Sequence, residues 1–174
     1  MTLQTKRLTL VLSSTEDVLQ QIEQLSVEDR AQVSPVWLAR IQTATESSPW
    51  THGFTAVLRE GRAQVGGAAF KGPPSEEGVV EISYGIAPEH QGQGYATEAA
   101  EALTNFAFAT GRVRVVCAHT KPDNVASARV LIKCGFQNVG EVIDPEDGNV
   151  LRWERARSET PVVQSPSTEG LCIF

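Results

Sequence analysis

The stretch Gln91-Gly92-Gln93-Gly94-Tyr95-Ala96 has the residue types of an anion cradle. Its glycines bend the chain just ahead of an apolar-periodic helix, where free backbone N–H groups converge and the helix dipole adds positive potential. A phosphate or pyrophosphate suits such a place, and a tight helix start would use the same glycines. Two common phosphate loops are excluded. No Gly-Lys-Ser/Thr follows the first glycine, and Thr97 stands where a dinucleotide fingerprint needs its third glycine.

Other side chains could also do chemistry. In Val79-Val80-Glu81-Ile82-Ser83-Tyr84, strand alternation sends Glu81 and Ser83 to one face and Val80, Ile82 and Tyr84 to the other. A carboxylate in a central strand is uncommon. It reads either as a base or as one half of an ion pair at the mouth of a sheet. Asn124 can cap a helix, and Ser127 can bond back to that helix's first turn. His119 follows an apolar run near where a sheet would open, whereas His52 and His90 read as loop residues. Cys117, Cys134 and Cys172 are dispersed, and neither a Cys-x-x-Cys nor a His-x-x-x-His spacing occurs, so no metal site is expected.

The elements that must position these groups follow from periodicity and breakers. Residues 3–12 alternate as a strand, and Ser14-Thr15-Glu16-Asp17 is a helix start ahead of Val18, Leu19, Ile22 and Leu25 at helical spacing. Pro35 begins a second helix through Trp37, Leu38 and Ile41. Residues 54–59 and 63–70 form a strand pair across Glu60-Gly61-Arg62, and residues 79–86 a further strand. Ala96, Ala99, Ala100, Leu103, Phe106 and Ala107 give a long helix one apolar face, closed by Gly111. Residues 113–118 read as a strand buried on both faces, followed by a helix from Asn124 to Gly135 and a hairpin of residues 136–143 and 150–157. This order predicts an α/β sandwich with a mixed sheet. Residues 1–157 form one expected domain, and residues 158–174 a flexible tail.

Composition bounds the reading. The chain has 174 residues, enough for one core, with 41% hydrophobic and 21% charged residues, typical of a soluble fold. A net charge of -6 argues against a general nucleic-acid binder. No run is long enough to span a membrane, the apolar run at residues 8–12 is too short for a signal-peptide core, and the cysteine usage suits the cytoplasm.

Three segments carry a resemblance to the GNAT superfamily of N-acetyltransferases. Gln91-x-x-Gly94-x-Ala96 resembles the family's pyrophosphate loop, and Asn124-x-x-Ser127 with Lys133-Cys134-Gly135-Phe136 resembles its second motif. Thr5-Lys6-Arg7-Leu8 and Gly94-Tyr95-Ala96-Thr97-Glu98-Ala99 are similar to the branch holding the ribosomal-protein acetyltransferases RimJ and RimL. The fold so implied is a GNAT-like α/β sandwich whose mixed, mostly antiparallel sheet splays at its central parallel strands. The activity implied is transfer of acetyl from acetyl-CoA to a primary amine, either a protein N-terminus or a small amine, in a ternary complex.

In that resemblance, acetyl-CoA is bound by the backbone of Gln91, Gly92, Gln93, Gly94, Tyr95 and Ala96, by the strand end Tyr84, Ile86 and Ala87, and by Asn124. The Ile86 N–H faces the thioester oxygen. Glu81 is the expected base, directly or through water, and Ser127 the proton donor to the thiolate. Many members carry a tyrosine where Leu131 stands here, which leaves a catalytically inactive acyl-CoA-binding regulator as the alternative. Specificity is expected from residues 26–53 and from the acidic turn at residues 144–149, where Asp144, Glu146 and Asp147 could attract an ammonium or simply be solvated. Trp37, Trp50 and Trp153 could line the groove or fill the core. The partners implied are a small-molecule or peptide amine, with no metal, nucleic acid or membrane. Self-association into a homodimer is left open.

Overall fold

Capping chemistry sets the helix boundaries. Ser14 Oγ accepts the Asp17 N–H while the Asp17 carboxylate accepts the Ser14 N–H, a reciprocal box that starts α1 (Thr15–Glu23). Those hydrogen bonds from Ser14 hold the Asp17 carboxyl below its ordinary value. A short α2 (Val27–Ala31) follows, which periodicity did not signal, and then α3 (Pro35–Thr43) begins at Ser34 and Pro35. Gly94 is the N-cap of α4 (Tyr95–Ala109), and Asn124 Oδ1 caps α5 (Val125–Lys133) by accepting the Ser127 N–H at 3.0 Å. Gly135 ends α5 at φ +77°, letting the Phe136 N–H reach the Leu131 carbonyl.

The computed structural model describes residues 1–31, 33–145 and 147–158. Residues 159–174 of the expected tail lie outside these. The strands are β1 (Thr2–Gln4), β2 (Leu8–Leu12), β3 (Phe54–Leu58), β4 (Gln64–Phe70), β5 (Val79–Ile86), β6 (Val115–Thr120), β7 (Gln137–Asp144) and β8 (Gly148–Ala156). They form one mixed sheet in the order β1-β2-β3-β4-β5-β6-β8-β7.

Three boundaries differ from the sequence reading. Residues 3–12 are two antiparallel strands, because Leu8 N–H donates to Thr5 Oγ1 at 2.8 Å and Thr5 N–H donates to the Leu8 carbonyl, turning the chain at Lys6 and Arg7. β6 starts at Val115 and continues to Thr120, past the apolar run, because pairing with β8 extends to the Thr120–Leu151 rung. His119 is therefore inside a strand. The closing hairpin is also tighter, from Asp144 to Gly148.

One face of the sheet packs on α4, where Ala99, Ala100, Leu103 and Ala107 are wholly buried against a core that includes Leu8, Leu10, Val65, Val80, Ile82 and Val116. Small residues on α4 let helix and sheet approach closely. Trp50, Phe70 and Phe106 cluster with ring centroids 4.7–5.9 Å apart. β5 and β6 form the sheet's one parallel pair among the described residues, with three rungs, Val79–Val115, Val80–Val116 and Glu81–Cys117. Beyond Glu81 the two strands part, the splay that the resemblance implied. Among the described residues, no helix is long and apolar enough to cross a membrane.

Candidate active site

A cleft of about 470 Å³ opens between the end of β5, the glycine loop and α5. Gly92 and Gly94 hold φ +74° and +86°, left-handed angles that other residues adopt only with strain. A Cβ on Gly92 would meet no atom, so backbone conformation alone makes the demand there; a Cβ on Gly94 would come within 3.1 Å of the Arg7 guanidinium. No side chain caps α4, which leaves the first-turn N–H groups of Tyr95 and Ala96 to an outside acceptor.

His90, Arg129 and Lys133 also line the cleft, and among the described residues no carboxylate does. An uncapped helix start beside two cationic side chains fits a pyrophosphate. Arg129 and Lys133 were missed in the sequence. Their signal was a basic pair four apart on the helix that Asn124 starts.

Gly92, Gly94, Tyr95, Ala96, Gln91, Tyr84, Ile86, Asn124 and Ser127 share this cleft. Gln93 and Ala87 face elsewhere with their backbone groups. The Gln93 carbonyl accepts from Arg7 Nη2 at 2.8 Å, while Ala87 donates its N–H to the Val65 carbonyl and accepts the His90 N–H. Gln91 Nε2 donates to the Ile86 carbonyl at 2.8 Å, tying the loop to the strand.

The strand edge is ordered by alternation. The Glu81 carbonyl accepts the Lys71 N–H on the β4 side, and the Ala87 N–H bonds to Val65 on the same side. Ile82, Tyr84 and Ile86 therefore turn their N–H and C=O groups toward the gap left by β6. Tyr84 also reaches across that gap: Ser127 Oγ donates to Tyr84 Oη at 3.2 Å, and Tyr84 Oη donates to the Ser127 carbonyl at 3.4 Å. Burial pushes the Tyr84 phenol up to about 12, against a smaller opposing effect of the Ser127 hydrogen bond. Leu131 is wholly buried in the core.

Glu81 stands at the last rung before the strands part. Its Oε1 lies 2.9 Å from Lys71 Nζ and 3.0 Å from His119 Nδ1. Asp147 lies 3.9 Å from the same ammonium. Burial opposes the Lys71 charge, yet the hydrogen bond and charge of Glu81, aided by Asp144 and Asp147, outweigh it and raise Lys71 above its ordinary value. Part of the acidic turn is thus committed to a lysine; Glu146 lies outside the described residues.

A second cavity, of about 420 Å³, opens on the opposite side of β5, under α1 and α3. Val18, Ile22, Leu25, Trp37 and Phe54 supply apolar wall, Ser13, Gln21 and Ser83 supply polar groups, and among the described residues no carboxylate takes part. Gly67 and Gly85 are paired across β4 and β5, so the floor there is bare backbone. His52, in the turn ahead of β3, is buried and lines this cavity: it accepts the Ser48 N–H at Nδ1, which leaves Nε2 to donate to Thr15 Oγ1 at 3.0 Å. Trp37 lines the cavity with Nε1 donating to the Thr51 carbonyl at 2.8 Å, whereas Trp50 and Trp153 pack in the core. Tyr84 and Gly85 border both cavities, so only the strand separates them.

Among the described residues, no three His, Cys, Asp or Glu side chains gather as a metal would need.

The chain belongs to the acetyltransferase (GNAT) domain family, whose model matches residues 7–137. A relative, the uncharacterized N-acetyltransferase YjdG of Bacillus subtilis, is 36% identical over 89 residues, 49% of this chain and 53% of YjdG. The chain thus spans about half the length of that curated relative. Among solved structures, the ribosomal L7/L12 α-N-protein acetyltransferase RimL in complex with coenzyme A superposes with a TM-score of 0.66 at 17% identity, covering 90% of this chain and 98% of that one. Aminoglycoside acetyltransferase AAC(6')-Ib in complex with coenzyme A superposes with a TM-score of 0.62 at 20% identity, covering 86% and 95%.

Proposed function

We propose that this protein transfers acetyl from acetyl-CoA to a primary amine by direct attack in a ternary complex. The observation that carries the reading is the meeting of two cavities at Tyr84 and Gly85, one lined by anion-binding groups and the other by apolar and neutral polar groups. The bound coenzyme A in the RimL and AAC(6')-Ib structures supports the donor half.

When bound, acetyl-CoA supplies a thioester carbonyl open to an amine. The loop from Gln91 to Ala96, with Arg129 and Lys133, holds the pyrophosphate through N–H donors and positive charge. Tyr84 and Ile86 offer strand hydrogen bonds to the pantetheine arm, and the Ile86 N–H donates to the reacting carbonyl oxygen. The proton of the incoming ammonium leaves toward the Glu81 corner of the site, either to the carboxylate, directly or through water, or to a group that the carboxylate holds. Ser127, hydrogen-bonded to Tyr84, supplies a proton to the departing sulfur.

The acceptor cavity favours one amine class. Among the described residues no carboxylate in its wall would meet a polycation, while Val18, Ile22, Leu25 and Trp37 suit an amine beside apolar groups. A protein N-terminus with an apolar first residue, or a small apolar monoamine, meets that description. The buried free thiols Cys117 and Cys134 suit a reducing compartment such as the cytoplasm.

The test is free-thiol release from acetyl-CoA across peptide N-termini, apolar monoamines and polyamines, with coenzyme A binding followed by thermal shift. Turnover highest on apolar monoamines or peptides supports the reading. Binding without turnover on any amine would indicate a regulator, the reading that Leu131 favours.

A further inference from the structure

His119 carries a feature that its hydrogen bond to Glu81 does not explain. Its side chain is 10% exposed, and Nδ1 faces Glu81 Oε1 at 3.0 Å. Its other ring nitrogen, Nε2, is buried and has no hydrogen-bond partner among the described residues. A carboxylate only accepts, so Nδ1 carries a proton, and in the neutral imidazole Nε2 is then the nitrogen with the lone pair. Buried polar atoms are nearly always satisfied; His119 is part of neither cavity wall, and its open nitrogen lies beside the strand fork that the cavities flank.

The surroundings give that lone pair a purpose. The β5–β6 ladder ends at Glu81–Cys117; two residues further, the same register sets His119 across the parted strands from Ser83, which lines the apolar cavity. His119 thus shares the face of Glu81 and Ser83, at the level where the two strands separate. It is the buried imidazole of the fork, whereas the Glu81 carboxylate is already engaged by Lys71 and His119.

We infer that His119 Nε2 takes the proton from the acceptor ammonium, and that Glu81 is a positioning residue fixing the imidazole's tautomer; this rests on the acetyltransferase reading. The step balances as follows. The ammonium gives one proton to Nε2 and becomes a neutral amine. Its lone pair forms the C–N bond, the C–S bond breaks, and the electron pair leaves on sulfur. The nitrogen then gives its second proton to solvent while the thiolate gains one from solvent, directly or through Ser127, which solvent reprotonates, and His119 returns its proton to water. The charged and titratable groups around this corner are Lys71 after β4, Glu81 on β5, Cys117 on β6, Arg152 and Glu154 on β8, and Asp144 and Asp147 at the β7–β8 turn.

Two measurements test the inference. Nitrogen NMR of the protein without ligand is expected to show the neutral His119 imidazole with its proton on Nδ1, and Glu81→Gln is expected to mix the tautomers. In steady-state thiol release, His119→Gln and His119→Ala are expected to lower kcat by about 100-fold, to abolish the acidic limb of the pH profile and to leave coenzyme A binding intact, with partial rescue of the alanine variant by imidazole. Wild-type-like kcat and pH profile in both variants, or an Nε2-protonated imidazole, overturns the inference while turnover by the parent still upholds the acetyltransferase reading. A parent that binds coenzyme A but acetylates no amine overturns that reading and this inference together.

Discussion

Arg7 Nη2 donates to the Gln93 carbonyl at 2.8 Å, joining the turn between β1 and β2 to the glycine loop 86 residues away. The same guanidinium lies 2.6 Å from the Glu98 carboxylate through Nε and 4.6 Å from the Tyr95 ring centroid. Arg7 acts on the loop as a strut. Arg7→Ala should weaken coenzyme A binding about tenfold, near the lower end for a charge-assisted hydrogen bond because the side chain is partly exposed. Calorimetric titration checks this, and the expected signature in kinetics is a raised KM for acetyl-CoA with a smaller change in kcat.

Glu98 makes the same clamp depend on pH. Burial opposes its charge, but hydrogen bonds from Thr5 and Arg7 and the Arg7 charge prevail, so its carboxyl lies below the ordinary value. A depressed carboxylate stabilises the fold fully above its unfolded value, about 4.3, and loses that contribution as pH falls through the lower folded value. Thermal unfolding should show the parent losing stability in that acidic window. Glu98→Gln should be less stable at neutral pH and show a smaller decline there; equal declines in the two proteins would contradict the assignment.

Lys133 and Arg129 carry no charge partner from the cleft wall, so their contribution should be read in salt. Lys133→Gln is expected to lower coenzyme A affinity by about threefold to tenfold at low ionic strength. The gap between variant and parent should close as salt approaches about 1 M, where the Debye length falls to roughly 3 Å. A salt-independent loss would point to packing rather than charge.

Trp37 separates the two halves of the site. It lines the apolar cavity and is absent from the cofactor cleft. Trp37→Ala should raise the acceptor KM about tenfold, the scale of one apolar contact in a pocket, and leave coenzyme A binding within about twofold of the parent. Paired thermal-shift and kinetic measurements decide it.

Much of the local structure around the glycine-loop cleft was legible in the chain itself. Glycines before an apolar-periodic helix, an asparagine at a helix start and a period-two strand are written in neighbouring residues, because left-handed turns, caps and side-chain alternation are local consequences of backbone sterics. The same locality explains the misreadings. The alternation of residues 3–12 gave no sign of the Thr5–Leu8 turn, and the apolar run of β6 gave no sign that pairing with β8 carries the strand through His119. Burial of His52 depends on Ser48 and Thr15 arriving from two segments, which no pattern around residue 52 records.

The sequence by itself determined an anion-binding helix start, a carboxylate on one face of a central strand and the order of elements that resembles the GNAT family. Tertiary structure decided which groups those residues meet. Glu81 and His119 are 38 residues apart, and a period of two fixes only the face each occupies. The parallel register of β5 and β6, and its end after three rungs, brought that carboxylate to the imidazole and opened the fork beside them.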